Sequence, residues 1–136
     1  MARRRCQMDA LWDQAKAKEK AASRPRARVR ALTLLTTRLA QASAFLDAVA
    51  PVLGLTRVGA PPGEARCASG PLEFIYRESK APGAFAPAQV ELEAESREDL
   101  ELTFAALVPM GAERPTPFAV ELRDPDGNLW RIVCAP

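Results

Sequence analysis

The sequence predicts an α+β domain built from two βαβββ modules in one chain, and three observations carry that prediction. After residue 30, apolar residues recur at helical spacing in only two stretches, 39–53 and 100–108. The other apolar segments are short, alternate with polar residues and are bounded by Pro and Gly, as strands are. The order strand, helix, three short strands occurs twice at nearly constant spacing: Gly54 and Gly111, which follow the helices, are 57 residues apart, and Ala31 and Gln89 on the first strands are 58 apart.

Val29 to Thr37 is a β-rich run that opens the first module. Leu39, Ala42, Phe45, Val49 and Leu53 then keep a helical period, and Pro51 and Gly54 mark its end. Thr56–Gly59, Ala65–Ala68 and Leu72–Arg77 read as the three closing strands. In the second module Gln89–Ala94 alternates polar and apolar, and Ser96 with Asp99 forms a capping box. The helix it opens has the predicted buried stripe Leu100, Phe104, Leu107 and Val108, and stops near Gly111. Ala112–Arg114, Phe118–Arg123 and Leu129–Cys134 follow as strands. Between the last two, Asp124-Pro-Asp-Gly-Asn128 is a reverse turn, because Pro125 fixes φ and Gly127 accepts a left-handed conformation. The modules span 29–80 and 86–135 within a domain of 29–136.

With 136 residues, 48% of them hydrophobic, one core is the expectation. Histidine is absent, which excludes Ser-His-Asp and Cys-His catalysis and every His-bearing metal site. Cys6, Cys67 and Cys134 are odd in number and lack CxxC spacing, so reduced thiols are expected. Cys67 and Cys134 fall on strands, as small core residues with no His to form a thiolate pair. The single tyrosine, Tyr76, is expected in the core with a satisfied hydroxyl. No apolar run approaches the ~20 residues of a membrane span, and the Arg-rich start lacks the apolar stretch of a secretory signal. A cytoplasmic protein without membrane contact is the expectation.

The net charge of +2 hides a segregation. Residues 1–30 hold ten Lys/Arg against three acids, a net of +7, and the rest holds nine against fourteen, a net of −5. Residues 1–28 thus form a basic arm, with Met8, Leu11, Trp12 and Ala15 at helical spacing. Its three acids and lack of stacking aromatics point to a solvated or dimer-packing extension rather than a nucleic-acid binder.

The run from Ala44 to Leu55, the segment from Gln89 to Arg97, and the closing Leu122-Arg-Asp-Pro-Asp-Gly-Asn-Leu-Trp130 resemble the vicinal oxygen chelate superfamily, which includes glyoxalase I, bleomycin-resistance proteins and extradiol dioxygenases. The likeness covers about residues 29–135. It implies a curved mixed sheet around a cavity, with the helices on the outer face. Metal-dependent members carry one ligand on the first and one on the last strand of each module. Carried onto this chain, those positions fall at Ala31, Glu73, Gln89 and Arg131. Alanine has no donor atom and arginine is a fixed cation, so the site is degenerate: no metal and no cofactor are expected.

If the modules fold as the resemblance implies, Glu73 and Arg131 share a cavity and form an ion pair or jointly hold a polar ligand. Period-two alternation sends Trp130 and Ile132 toward the helices and leaves Leu129, Arg131 and Val133 on the other face. The same alternation puts Gln89, Glu91 and Glu93, then Thr33, Leu35 and Thr37, then Ile75 and Arg77, then Ala119 and Glu121, on the cavity side. The expected ligand-binding set is Glu73, Gln89, Arg131, Thr33, Leu35, Ile75, Arg77, Glu91 and Glu121. The function this implies is a metal-independent, homodimeric binder of a small organic molecule. Two alternatives stay open: a metal-dependent lyase, isomerase or dioxygenase of the same superfamily, and a dimeric interaction module that uses the basic arm.

Overall fold

A computed structural model of the chain describes residues 11–14, 27–80 and 86–136. Among the described residues, eight strands and two long helices follow one another as expected: β1 (Ala31–Thr36), α1 (Leu39–Leu53), β2 (Thr56–Val58), β3 (Glu64–Ser69) and β4 (Leu72–Glu78), then β5 (Gln89–Glu93), α2 (Arg97–Leu107), β6 (Glu113–Thr116), β7 (Ala119–Arg123) and β8 (Leu129–Val133). Hydrogen bonding divides the strands into two four-stranded mixed sheets, β1-β4-β3-β2 and β5-β8-β7-β6. In each, the first strand runs parallel to the last and the remaining pairs are antiparallel. Of the expected arm helix, residues 11–14 are described, and these are helical and exposed; the rest lies outside the described residues.

Helix α1 buries Ala42, Phe45, Leu46, Val49 and Ala50, the face its apolar spacing specifies. It carries Pro51 inside its last turn and closes on Gly54, whose φ of 70° is one that side-chain-bearing residues rarely adopt. Ser96 caps α2, its hydroxyl accepting from the Asp99 backbone N–H at 3.1 Å. The expected stripe is corrected at two positions: Leu100 and Leu107 are buried, but Phe104 is only half-buried while Thr103 is buried beside it, and Val108 is 47% exposed. The α-helix gives way at Val108 to a 3-10 turn, Val108–Met110, because Pro109 cannot donate to a continuing helix.

One core lies between the helices and both sheets. Phe45, Phe74 and Trp130 meet there, with the indole centroid 5.5 Å from each phenyl ring. Val90, Val120, Leu122 and Ile132 from the second module join Ala65, Cys67 and Tyr76 from the first. The helices therefore cover one face of each sheet and leave the other to the chemistry of its outward residues.

Candidate functional site

The strand registers define rows of side chains on the helix-free faces. On the first sheet these rows are Ala31–Glu73–Ala68, Thr33–Ile75–Arg66 and Leu35–Arg77–Glu64. Their charges pair with one another. Glu64, with 9% of its side chain exposed, accepts from Arg66 Nη2 at 2.6 Å and Arg77 Nη2 at 3.0 Å, and Arg66 Nη1 reaches Glu73 at 3.3 Å. The Arg66 hydrogen bond holds the Glu64 carboxyl below the usual carboxylate range, and Glu64 in turn raises Arg66.

The expected ion pair between Glu73 and Arg131 is not formed. The Glu73 carboxylate meets Arg66, which the register places one row away on the adjacent strand. Arg66 and Glu64 were missed in the sequence, although β3 announces them: Ala65 and Cys67 are buried, and the intervening Glu64 and Arg66 must share the other face. Ile75 lies buried between Thr33 and Arg66, while Thr33, Leu35 and Arg77 are exposed. Thr33 and Leu35 line a cavity of about 280 Å³ together with Ala86, Ala88 and Asn128.

On the second sheet, Trp130 and Ile132 point to the core, so Arg131 faces away from the helices. Its Cα partners are Glu91 on β5 and Glu121 on β7, and Glu121 is itself opposite Glu113 on β6. The row is Glu91–Arg131–Glu121–Glu113. Gln89, expected as the counterpart of Ala31, is opposite Leu129 instead, two residues along the strand. The module spacing of 58 residues therefore does not preserve strand register, and Glu91 takes the place across from Arg131. Among the described residues none of Arg131, Glu91, Glu121 and Glu113 forms an ion pair within 4 Å, and the buried Arg131 Nε has no hydrogen-bond acceptor. Glu113 and Glu121 line a second cavity, of about 200 Å³, with Arg123, Leu129, Met110 and Gly111. Ala119, expected on this floor, is 1% exposed, and Glu93 and Gln89 are exposed.

Tyr76 sits on the core side of β4. Its hydroxyl donates to Asp124 Oδ2 at 2.5 Å and accepts from Trp130 Nε1 at 3.2 Å. Asp124 also accepts from Asn128 Nδ2 and N, both at 2.8 Å, and from Asp126 N at 3.0 Å. Burial, and then the hydrogen bond to Asp124, push the Tyr76 hydroxyl far above its ordinary value, which removes it as an acid near neutrality. Burial raises the Cys67 thiol likewise, and Cys134 Sγ lies against the Ala135 carbonyl at 3.3 Å.

The residues present do not fit the metal of the vicinal oxygen chelate enzymes. Ala31 offers no donor, Arg131 brings a cation, and Glu73 is engaged by Arg66. No group of three or more His, Cys, Asp or Glu side chains among the described residues is placed to hold an ion.

No protein-family model and no curated protein matches this sequence. Solved structures do. Lactoylglutathione lyase from Agrobacterium tumefaciens is 18% identical with a TM-score of 0.64, over 82% of this chain and 96% of that one. A glyoxalase/bleomycin resistance protein from Albidiferax ferrireducens T118 is 23% identical with a TM-score of 0.63, over 79% and 98%. The oxidase ChaP-H2 is 17% identical with a TM-score of 0.65, over 82% and 96%. At these identities the likeness establishes the vicinal oxygen chelate fold, and the chemistry has to come from this chain's own residues.

Proposed function

We propose that this chain, a domain with the glyoxalase/bleomycin-resistance fold, is a metal-independent binding protein for a small organic molecule. One observation carries the reading. Arg131, at the position to which the family resemblance carries a metal ligand, has its guanidinium unpaired and its buried Nε without an acceptor. A fixed cation there repels a divalent ion and offers N–H donors to a polar ligand instead. The described residues also line cavities of about 200 Å³ and 280 Å³, below the range of roughly 300–1,000 Å³ usual for drug-sized molecules, and Arg131 lines neither of the two. The same reading takes the working form to be a homodimer, for which light scattering is expected to give twice the chain mass of 14.8 kDa.

The test is metal analysis of the purified protein, followed by thermal unfolding with Mn, Ni, Zn and Mg in turn and then with an organic ligand library. The expected result is substoichiometric metal, no metal-induced shift, and stabilisation by an organic ligand that Arg131→Ala abolishes. Glu73→Gln leaves that stabilisation in place, since Glu73 is committed to Arg66. Near-stoichiometric metal, or a large shift with one ion, overturns the reading.

A further inference from the structure

The large apolar side chains left exposed among the described residues fall into three groups: Leu11 and Trp12 in the arm, Val29, Leu32 and Leu35 on and before β1, and Leu102, Val108 and Met110 on and just after α2. Leu100, Thr103 and Leu107 of α2 face the core, so at about 100° per residue Glu98, Leu102, Ala105 and Ala106 occupy the opposite side. All four are exposed, Leu102 at 63%. Helix α1 has no exposed large apolar residue on its outer side. An apolar stripe on the solvent side of α2 alone marks an interaction surface.

Charge selects the partner. Residues 1–28 hold nine Lys/Arg and three acids, a net of +6; residues 29–80 hold six and four, a net of +2; residues 86–136 hold four and ten, a net of −6. The acidic excess of the domain thus lies wholly in the second module. At α2, Arg97 and Arg114 are both engaged by Glu101, and the exposed Glu95, Glu98 and Asp99 supply an acidic flank. The arm is the complement: Met8, Leu11, Trp12 and Ala15 keep helical spacing, and Lys16, Lys18 and Lys20 follow them. The β1 group is disfavoured as the arm's seat because its module is itself net positive. Leu11 and Trp12 are 66% and 65% exposed in the single chain, which favours a second copy over the chain's own α2. Residues 15–26 reach up to roughly 40 Å when extended, more than twice the ~16 Å length of α2.

We propose that the outer face of α2 is the docking surface for the N-terminal arm of a second copy of this chain, with Leu11 and Trp12 packing on Leu102, Ala105 and Ala106 while the arm's lysines meet Glu95 and Glu98. The short side chains of the two alanines let bulky ones approach the helix closely. Exchanged symmetrically, the two arms make an isologous dimer. This interface rests on the homodimeric working form and is independent of any small-molecule ligand.

The experiment follows the full-length protein by sedimentation velocity over a dilution series, at low and high salt, together with tryptophan emission. Trp130 is 1% exposed and Trp12 is the only other tryptophan, so an emission change on dilution reports Trp12. The expected result is a dimer that dissociates on dilution with a red shift of Trp12, and that weakens as salt rises. Leu102→Lys, at an exposed position where the fold is kept, raises the dimer Kd at least tenfold, and Glu98→Lys raises it several-fold. Val29→Lys leaves it unchanged. Leu11→Ser weakens the dimer as Leu102→Lys does, and mixing these two variants restores part of the association, because one copy keeps an intact arm and the other an intact face. If neither Leu102→Lys nor Leu11→Ser weakens the dimer, the docking surface is overturned while the homodimer stands. If Val29→Lys weakens it in their place, the seat is β1 and the docking surface is again overturned alone. If the protein is a monomer at every concentration, the docking surface and the homodimer fall together.

Discussion

Tyr76 shows how one side chain ties the modules together and marks itself for measurement. Its hydroxyl joins Asp124 of the β7–β8 turn to Trp130 of β8, all three being 5% exposed or less. Tyr76→Phe removes a donor to a buried carboxylate and an acceptor for the indole N–H, so a loss of about 1.5–3 kcal/mol is expected in urea unfolding. The same residue sets an alkaline limb. Its folded pKa lies above the unfolded value of about 10, so the stability it contributes is complete below about pH 10 and is lost as pH rises past it. Tyr76 is the only tyrosine, so tyrosinate absorbance of the native protein is expected to appear only with unfolding. A free titration near pH 10 while the fold persists would refute this assignment.

At the scale of elements, local signals and register make separate contributions. The Ser96 cap on α2 is a local device, and Ser96→Ala is expected to cost about 1 kcal/mol by the same measurement. In the β7–β8 turn, Gly127 has a φ of 85° and open space around its Cβ position, so Gly127→Ala is a purely conformational change. Its expected cost is about 1 kcal/mol, with binding unaffected. Strand β3 gives a third test. Glu64 holds two arginines and its carboxyl is depressed, so its contribution is present above the unfolded pKa of about 4.3 and is lost as pH falls through the lower folded value. Glu64→Gln is expected to flatten the acid limb of stability against pH, and an unchanged limb would mean that the pairs with Arg66 and Arg77 contribute nothing.

In the whole molecule, the two modules share one core rather than closing two. Trp130 of the second module packs on Phe45 and Phe74 of the first and is 1% exposed. Trp130→Ala is expected to cost about 3–5 kcal/mol. The native chain is expected to unfold in one transition, with near-UV and far-UV circular dichroism changing together. Two separated transitions would show that the modules are independent, contrary to the shared core. No helix among the described residues is long and apolar enough to cross a membrane.

The architecture was legible in the sequence because its determinants are local. A helical period at 39–53, a capping box at Ser96, alternation along β8 and a turn at 124–128 each depend on residues a few positions apart. They fixed the element order and which face of each strand turns from the helices, and so they placed Arg131 beside Glu91 and Glu121 on one face. Only the tertiary structure decided who meets whom. The Glu73 carboxylate was spent on Arg66 rather than Arg131, Glu91 rather than Gln89 came to lie across from Arg131, and Asp124 reached back to Tyr76, 48 residues earlier. Alternation has a period of two and is unchanged when a strand slides by two residues, so it assigns the face and leaves the register open. Register is set by how the strands pair across the whole sheet, and that choice determines which charges are neutralised and which stay available to a ligand.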